Sequence, residues 1–412
     1  MPSVPGRSPV LPDRRCPPTT PQPTRVSILM KTALIGAGLA VVGIVAALTG
    51  ILSPSALVEL LDRVAPVLGF VIGLTIVADL AAEAGLFAWL ASAAARFSLG
   101  RVWVLWLLVV VLSVLCTVFL SLDTTAVLLT PVVVLVARRV GASPLPFAFT
   151  AIWIANCGSL LLPVSNLTNL LAVHALGNPA PLSYAALVGP AAAVGILVPV
   201  VAIAIRYRRE LSGRFPAVSS EPASDRPLFV VAAVVVVLLV PALVSGIEVW
   251  IPAAGAALVL VVAFAIRRRA ALKLTLVPWG TLLFASGLFL VVAAAQALGL
   301  ARLLGDLVGT GDDFGSLLRL SGGAALSANA VNNLPAYLAL EPVGGSELRL
   351  VAILIGVNLG CIVTPWASLA TLLWHGRLAA LDVEVPWKRF ILAGLVLTVV
   401  MLPLSILALV AL

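Results

Sequence analysis

The chain has 412 residues, 62% of them hydrophobic and only 10% charged, with a mean hydropathy of +1.18. Soluble domains carry roughly 25% charged residues, so the composition excludes a soluble globular protein and defines a polytopic membrane protein. The net charge of +8 does not point to nucleic acid, because Lys and Arg gather in short loops between apolar spans, as the positive-inside rule requires.

Residues 1–29 are rich in Pro, Arg and Thr and are expected to be disordered. Met30-Lys31, followed at once by an apolar run, is an alternative start. The run from Thr32 to Leu52 is too long for the apolar part of a signal peptide and reads as a retained span. Further spans are expected near 64–82, 102–120 and 122–137, then an interrupted segment at 146–176 and a span at 183–205. Two spans, 228–246 and 249–266, form a hairpin around Glu248. The remaining ones lie near 278–298, 316–340 (a candidate hairpin), 348–375 (a second interrupted segment) and 388–411.

The basic clusters Arg96/Arg101, Arg138/Arg139, Arg206 to Arg214, Arg267 to Lys273 and Arg377/Lys388/Arg389 can all be cytoplasmic at once. Under that assignment 64–82 runs inward, whereas its counterpart 278–298 runs outward. The predicted fold is therefore an all-α polytopic membrane protein of two inverted-topology repeats with re-entrant hairpins and broken transmembrane helices. The expected units are an extension (1–29), a first repeat with its leading helix (30–227), a connecting hairpin (228–274) and a second repeat (275–412). Short interfacial helices are expected after Gly85 and Gly299.

No Asp, Glu, Lys or Arg occurs from Gly141 to Ile205, yet this stretch holds Asn156, Gly158, Pro163, Ser165, Asn166, Thr168 and Asn169. Broken helix at membrane depth survives only inside protein or along a watery cavity. When it recurs in both halves of a chain, it points to a transporter's binding site. It recurs here. Laying Asn156 on Asn358 also matches Gly158 with Gly360, Pro163 with Pro365 and three leucines, six identities in sixteen positions.

Asp123 stands between two uncharged apolar runs, and an intramembrane carboxylate is a functional candidate by default. Loss of water disfavours its charged form, so it could exchange protons near neutrality; the simpler role is a helix cap. Its counterpart region is Ser327-Ala-Asn329-Ala-Val-Asn332-Asn333-Leu-Pro335, which fits a hairpin tip or interhelical amide contacts. Glu83 is a candidate proton stop, or an interfacial anion beside Arg96 and Arg101. His174 and His375 each follow a break and could shuttle protons or simply sit at an interface. Cys157 and Cys361 flank the breaks as soft ligands or small apolar filler. With four Cys, two His and no metal-type spacing, neither a metal site nor a cofactor is expected. There is no GxxxxGK[ST], HExxH or GxSxG, so neither a P-loop nor a familiar hydrolase is encoded.

Five strings then carry a resemblance: Glu83-Ala-Gly-Leu-Phe-Ala-Trp89; Asp123 with Leu129-Thr130-Pro131; Pro163-Val-Ser165-Asn166-Leu-Thr168-Asn169; Asn332-Asn333-Leu-Pro335; and Thr364-Pro365-Trp-Ala-Ser368-Leu-Ala-Thr371-Leu-Leu-Trp374. In these the chain resembles the bacterial arsenite/antimonite efflux permeases, a branch of the ion transporter superfamily, over nearly everything after residue 30. One departure is Leu122, where that family is expected to place Asn before the acid. The resemblance implies efflux of As(III) or Sb(III) as the neutral trihydroxide in exchange for protons. It also implies a homodimer in the cell membrane and, in some systems, a docked soluble ATPase.

The expected function is thus secondary active export by alternating access. The expected proton acceptor is Asp123, helped by Glu83. Asp123, Thr124, Asn156, Ser165, Asn166, Thr168 and Asn169 would line one half of the site, and Asn329, Asn332, Asn333, Asn358, Thr364, Ser368 and Thr371 the other. The alternatives are a sodium/proton antiporter or a carboxylate (citrate-like) transporter of the same superfamily, and, more remotely, a channel or a membrane enzyme. No nucleic-acid partner is expected.

Overall fold

The structure, a computed structural model, describes residues 25–216 and 225–411, with side chains from residue 34 onward. The expected N-terminal extension therefore lies mostly outside the described residues, and from Arg25 the chain is helical. The described residues form helices and no strand beyond one isolated bridge between Arg101 and Arg214.

The first half runs α1 (Arg25–Leu48), α2 (Pro54–Glu83) and a short α3 (Leu86–Phe97). The start of α2 is fixed by its cap: Ser53 Oγ accepts from the Ala56 amide at 3.2 Å, and Pro54 takes the first helical position. A hairpin follows, with α4 (Val102–Leu120) as its first arm. The second arm is α5 (Leu122–Thr124), a π-helical turn at Thr125–Leu129 and α6 (Thr130–Arg139). Then α7 (Pro144–Cys157) loosens into 3₁₀ turns at Gly158–Leu161 and Pro163–Ser165 before α8 (Leu167–Ala175). The half closes with α9 (Pro181–Arg206) and the single turn α10 (Arg208–Leu211).

After α11 (Arg226–Leu243) and α12 (Trp250–Arg267), the plan repeats. It gives α13 (Trp279–Ala297), α14 (Leu300–Val308), the hairpin α15 (Phe314–Val331) and α16 (Asn333–Leu340), the broken pair α17 (Glu347–Leu359) and α18 (Leu369–Ala379), and α19 (Trp387–Val410). Eight segments among the described residues are long and apolar enough to cross a membrane: α2, α4, α7 with its following turn, α9, α11, α12, α13 and α19. The chain is a multi-pass membrane protein built from two inverted repeats, each with a hairpin and a broken helix.

The repeats match in detail. Both short helices, α3 and α14, start from a left-handed glycine, Gly85 (φ 86°) and Gly299 (φ 95°). Both hairpin tips turn on a non-glycine residue in positive φ, Ser121 (φ 86°) and Asn332 (φ 119°). Such backbone is costly for an L residue and persists only where its surroundings impose it. Packing shows the same exchange: α1 lies along α13, α2 lies along α12, and α9 packs on α19. Glycine makes the first two contacts close. A Cβ on Gly287 would lie 2.6 Å from the Ala40 amide nitrogen, and one on Gly73 would lie 2.9 Å from the Ala253 carbonyl carbon. From this pairing we propose that α12 heads the second repeat, as α1 heads the first, with α11 alone as the connector.

Polar links between distant helix ends agree with the orientation the basic loops assign. On the side that the basic loops assign to the cytoplasm, Arg268 pairs with Glu83 at 3.1 Å, Arg389 donates to Tyr207 Oη at 3.1 Å, and Arg138 donates to the Asp382 carbonyl at 3.2 Å. On the opposite side Arg63 pairs with Glu341. There the buried Arg349 also donates to the carbonyls of Gly344 (2.7 Å) and Gly311 (2.9 Å). Each link joins ends that the loops place on one side. At the centre, α7 and α17 are buried along almost their whole length, as helices that hold a site rather than face lipid would be.

Candidate functional site

Between the two hairpin tips and the two breaks lies a cavity of about 80 Å³. The tips enter it in register: Ser121, Leu122 and Asp123 from the first, Asn332, Asn333 and Leu334 from the second. The breaks contribute Ser165 and Asn166 on one side and Ser368 on the other. Asp123 is exposed to this space, and no hydrogen bond or ion pair holds its carboxylate. No Lys or Arg lines the cavity.

The remaining predicted residues stand behind this lining, with most of their polar groups engaged. Asn358 crosses from the second repeat into the first break. Its Oδ1 accepts from Asn166 Nδ2 and Thr168 Oγ1, both at 2.9 Å, and its Nδ2 donates to Asn169 Oδ1 at 2.7 Å. Asn169 in turn donates to the carbonyls of Ser159 (2.6 Å) and Leu162 (3.0 Å), which the break frees from helical bonding. Asn156 donates to the Ile152 carbonyl at 3.0 Å. Asn329 ties the second break to its hairpin, donating to the Gly360 carbonyl at 2.7 Å and accepting from the Thr364 amide at 2.8 Å. Thr124 donates to the Leu120 carbonyl at 2.5 Å. Thr371 is fully buried, one turn beyond Ser368 on α18. Thr124, Asn156, Asn169 and Asn329 thus satisfy backbone that would otherwise be stranded in an apolar interior.

Glu83 is not part of this constellation: it is exposed at the C-terminal end of α2, paired with Arg268. His174 lines a separate cavity of about 1380 Å³ on the outer side, shared with Asp62, Arg63, Glu248 and Glu341. His375 stacks on Trp387 at 4.0 Å, with Nε2 3.3 Å from the Val385 carbonyl. Cys157 and Cys361 are buried free thiols; Cys361 Sγ faces the Asn358 carbonyl at 3.2 Å and Asn156 Oδ1 at 3.5 Å. Among the described residues no cluster of His, Cys, Asp or Glu could hold a metal ion.

Sequence reasoning missed Thr75 on α2 and Thr281 on α13, whose helices wall the cavity together with Phe70 and Phe284. A lone threonine in an apolar span carries no mark of its own. The only available signal was their position on α2 and α13, the corresponding helices of the two repeats.

A cavity enclosed by paired hairpins and paired helix breaks, with one unpaired acid and no cation, defines a membrane transporter. The family can be named. The citrate transporter (CitMHS) family model matches residues 26–356, most of the chain, which therefore belongs to that family. The chain is 29% identical over 405 residues to an arsenical pump membrane protein of Escherichia coli strain K12, covering 92% of each protein. It is 26% identical to an uncharacterized transporter of Mycobacterium tuberculosis, over 74% of this chain and 72% of the relative. Among solved structures, the YdaH transporter of Alcanivorax borkumensis matches the fold with a TM-score of 0.54 at 18% identity, covering 93% of this chain and 97% of that one. The sequence resemblance to arsenite permeases and the fold expected from it both stand.

Proposed function

We propose that this transporter exports As(III) or Sb(III) as the neutral trihydroxide in exchange for protons, with Asp123 as the proton carrier. The observation that carries this reading is the unpaired Asp123 carboxylate in a cavity whose lining contains no cationic side chain. A polycarboxylate such as citrate would meet a like charge there and no counter-charge, an arrangement that disfavours it. A neutral solute rich in hydroxyl groups can instead donate to Asp123 and accept from Asn333 Nδ2, which has no partner of its own. About 80 Å³ of cavity accommodates roughly five to eight water-sized groups at about 10–15 Å³ each. That is enough for a four-heavy-atom hydroxide.

Exchange follows from competition. A solute hydroxyl and a proton both seek the same carboxylate oxygens, so binding of one favours release of the other. Asp123 also fixes the charge of the unit that must cross the membrane. The relatives named as arsenical pumps support the solute, and the family's citrate description supports the rival. The deciding measurement is As(III) uptake into everted vesicles with sodium and proton gradients imposed separately. Uptake driven by a proton gradient without sodium is the expected result. Uptake that requires sodium, or citrate uptake with none of As(III), would replace this reading with the carboxylate one.

A further inference from the structure

The repeat correspondence lays Asn166 on Ser368, Asn169 on Thr371 and Asn156 on Asn358. If the halves were equivalent, each break would be closed by the asparagine of the other half. Only one is. Asn358 reaches into the first break and bonds Asn166, Thr168 and Asn169. Asn166 donates further to Ser159 Oγ at 3.3 Å and accepts from the Thr168 amide at 3.3 Å, which leaves it almost nothing to offer. Asn156 makes no such reach. Its amide bonds Ile152 on its own helix, and its oxygen faces the Cys361 thiol.

The second break is left with two buried hydroxyls, Ser368 Oγ (residue 1% exposed) and Thr371 Oγ1 (0%), neither with a hydrogen-bond partner. A buried hydroxyl without a partner is destabilising unless something polar completes it. Ser368, the residue that precedes α18, opens onto the cavity beside Asn333, and Thr371, three residues on in α18, is buried behind that lining. Resting on the solute reading above, we propose that the second break, not the first, holds the oxygens of the hydroxylated solute, with Ser368 and Thr371 as its specificity-determining hydroxyls. The first break is a rigid wall locked by Asn358. No charged side chain from the second half lines the cavity, so this half selects by hydrogen bonding alone, and a neutral hydroxyl suits it better than an ion.

The test uses Ser368→Ala and Thr371→Val in the full chain, in everted vesicles. Each should raise the half-saturating As(III) concentration about fivefold, the effect of one hydrogen bond. The ligand-free protein should melt no lower than wild type, because the removed hydroxyl had no partner to lose. As(III) should also protect both variants from thermal unfolding less than it protects wild type. Unchanged half-saturation in both variants, with wild-type transport intact, overturns the subsite and leaves the solute reading standing. A melting point lowered as far as in Asn358→Ala would make the two hydroxyls structural and likewise overturn it. Sodium-induced protection of wild type that these variants lose would show a cation subsite instead. Absence of As(III) uptake by wild type removes both the subsite and the reading beneath it.

Discussion

At its hairpin tip the first repeat presents Ser121-Leu122-Asp123, and the second presents Asn332-Asn333-Leu334 in the same strained register. The first position is polar in both, and the other two exchange polarity: leucine corresponds to asparagine, and acid to leucine. The breaks differ in the same spirit, one stitched shut by Asn358 and the other left with open hydroxyls. A duplicated scaffold supplies every position twice, but two acids across so small a cavity would repel, and one of them would be held protonated. One acid with a ring of neutral partners avoids that, and the cost is that the halves are no longer interchangeable.

The largest effect should come from removing the one acid. Asp123→Asn keeps the side-chain shape, so protein should still reach the membrane, but proton-driven As(III) uptake should fall to the level of empty vesicles. Undiminished uptake would take Asp123 out of the mechanism and with it the division between the tips. Next is the stitch across the first break. Asn358→Ala strands the side chains of Asn166, Thr168 and Asn169 and should cost about 3 kcal/mol of stability, read as a lowered melting point in detergent. Gly287→Ala pushes a methyl group into α1 and should cost about 1–3 kcal/mol by overpacking, with the mirror change Gly73→Ala in the same range. The smallest effect is expected for Asn156→Ala, about 1 kcal/mol, since that side chain bonds mainly to its own helix. Equal losses at Asn156 and Asn358 would erase the contrast between the breaks.

Much of this plan was legible in the sequence, for identifiable reasons. Apolar runs of membrane length fixed the spans, and Asn, Gly and Pro inside uncharged stretches fixed the breaks, because nothing else explains such residues at that depth. Asp123 stood out through its isolation among apolar residues. What could not be read was how each polar side chain is used. Asn156, Asn169, Asn329 and Asn358 look like ligands in a list of residues, and only their geometry shows them bonded to backbone and to one another. Thr75 and Thr281 reach the cavity through helix rotation, which an unpatterned apolar span does not encode. The grouping of α12 with α13 that we propose was equally hidden, since its sequence neighbour α11 is the natural partner for a hairpin.

That grouping bears on how the molecule came to be built. On the topology that the basic loops assign, α1, α2, the α7–α8 pair and α9 each cross once in the first repeat, while the α4–α6 hairpin turns back. The traversals are even in number, so the unit ends on the face where it began. A copy fused directly to it would therefore thread the membrane in the same sense and could never meet its twin across a shared centre. Among the described residues α11 is the one traversing helix without a counterpart. Its single pass flips the second copy. A helix that touches no solute is thus what lets Asp123 and Asn333 look at each other.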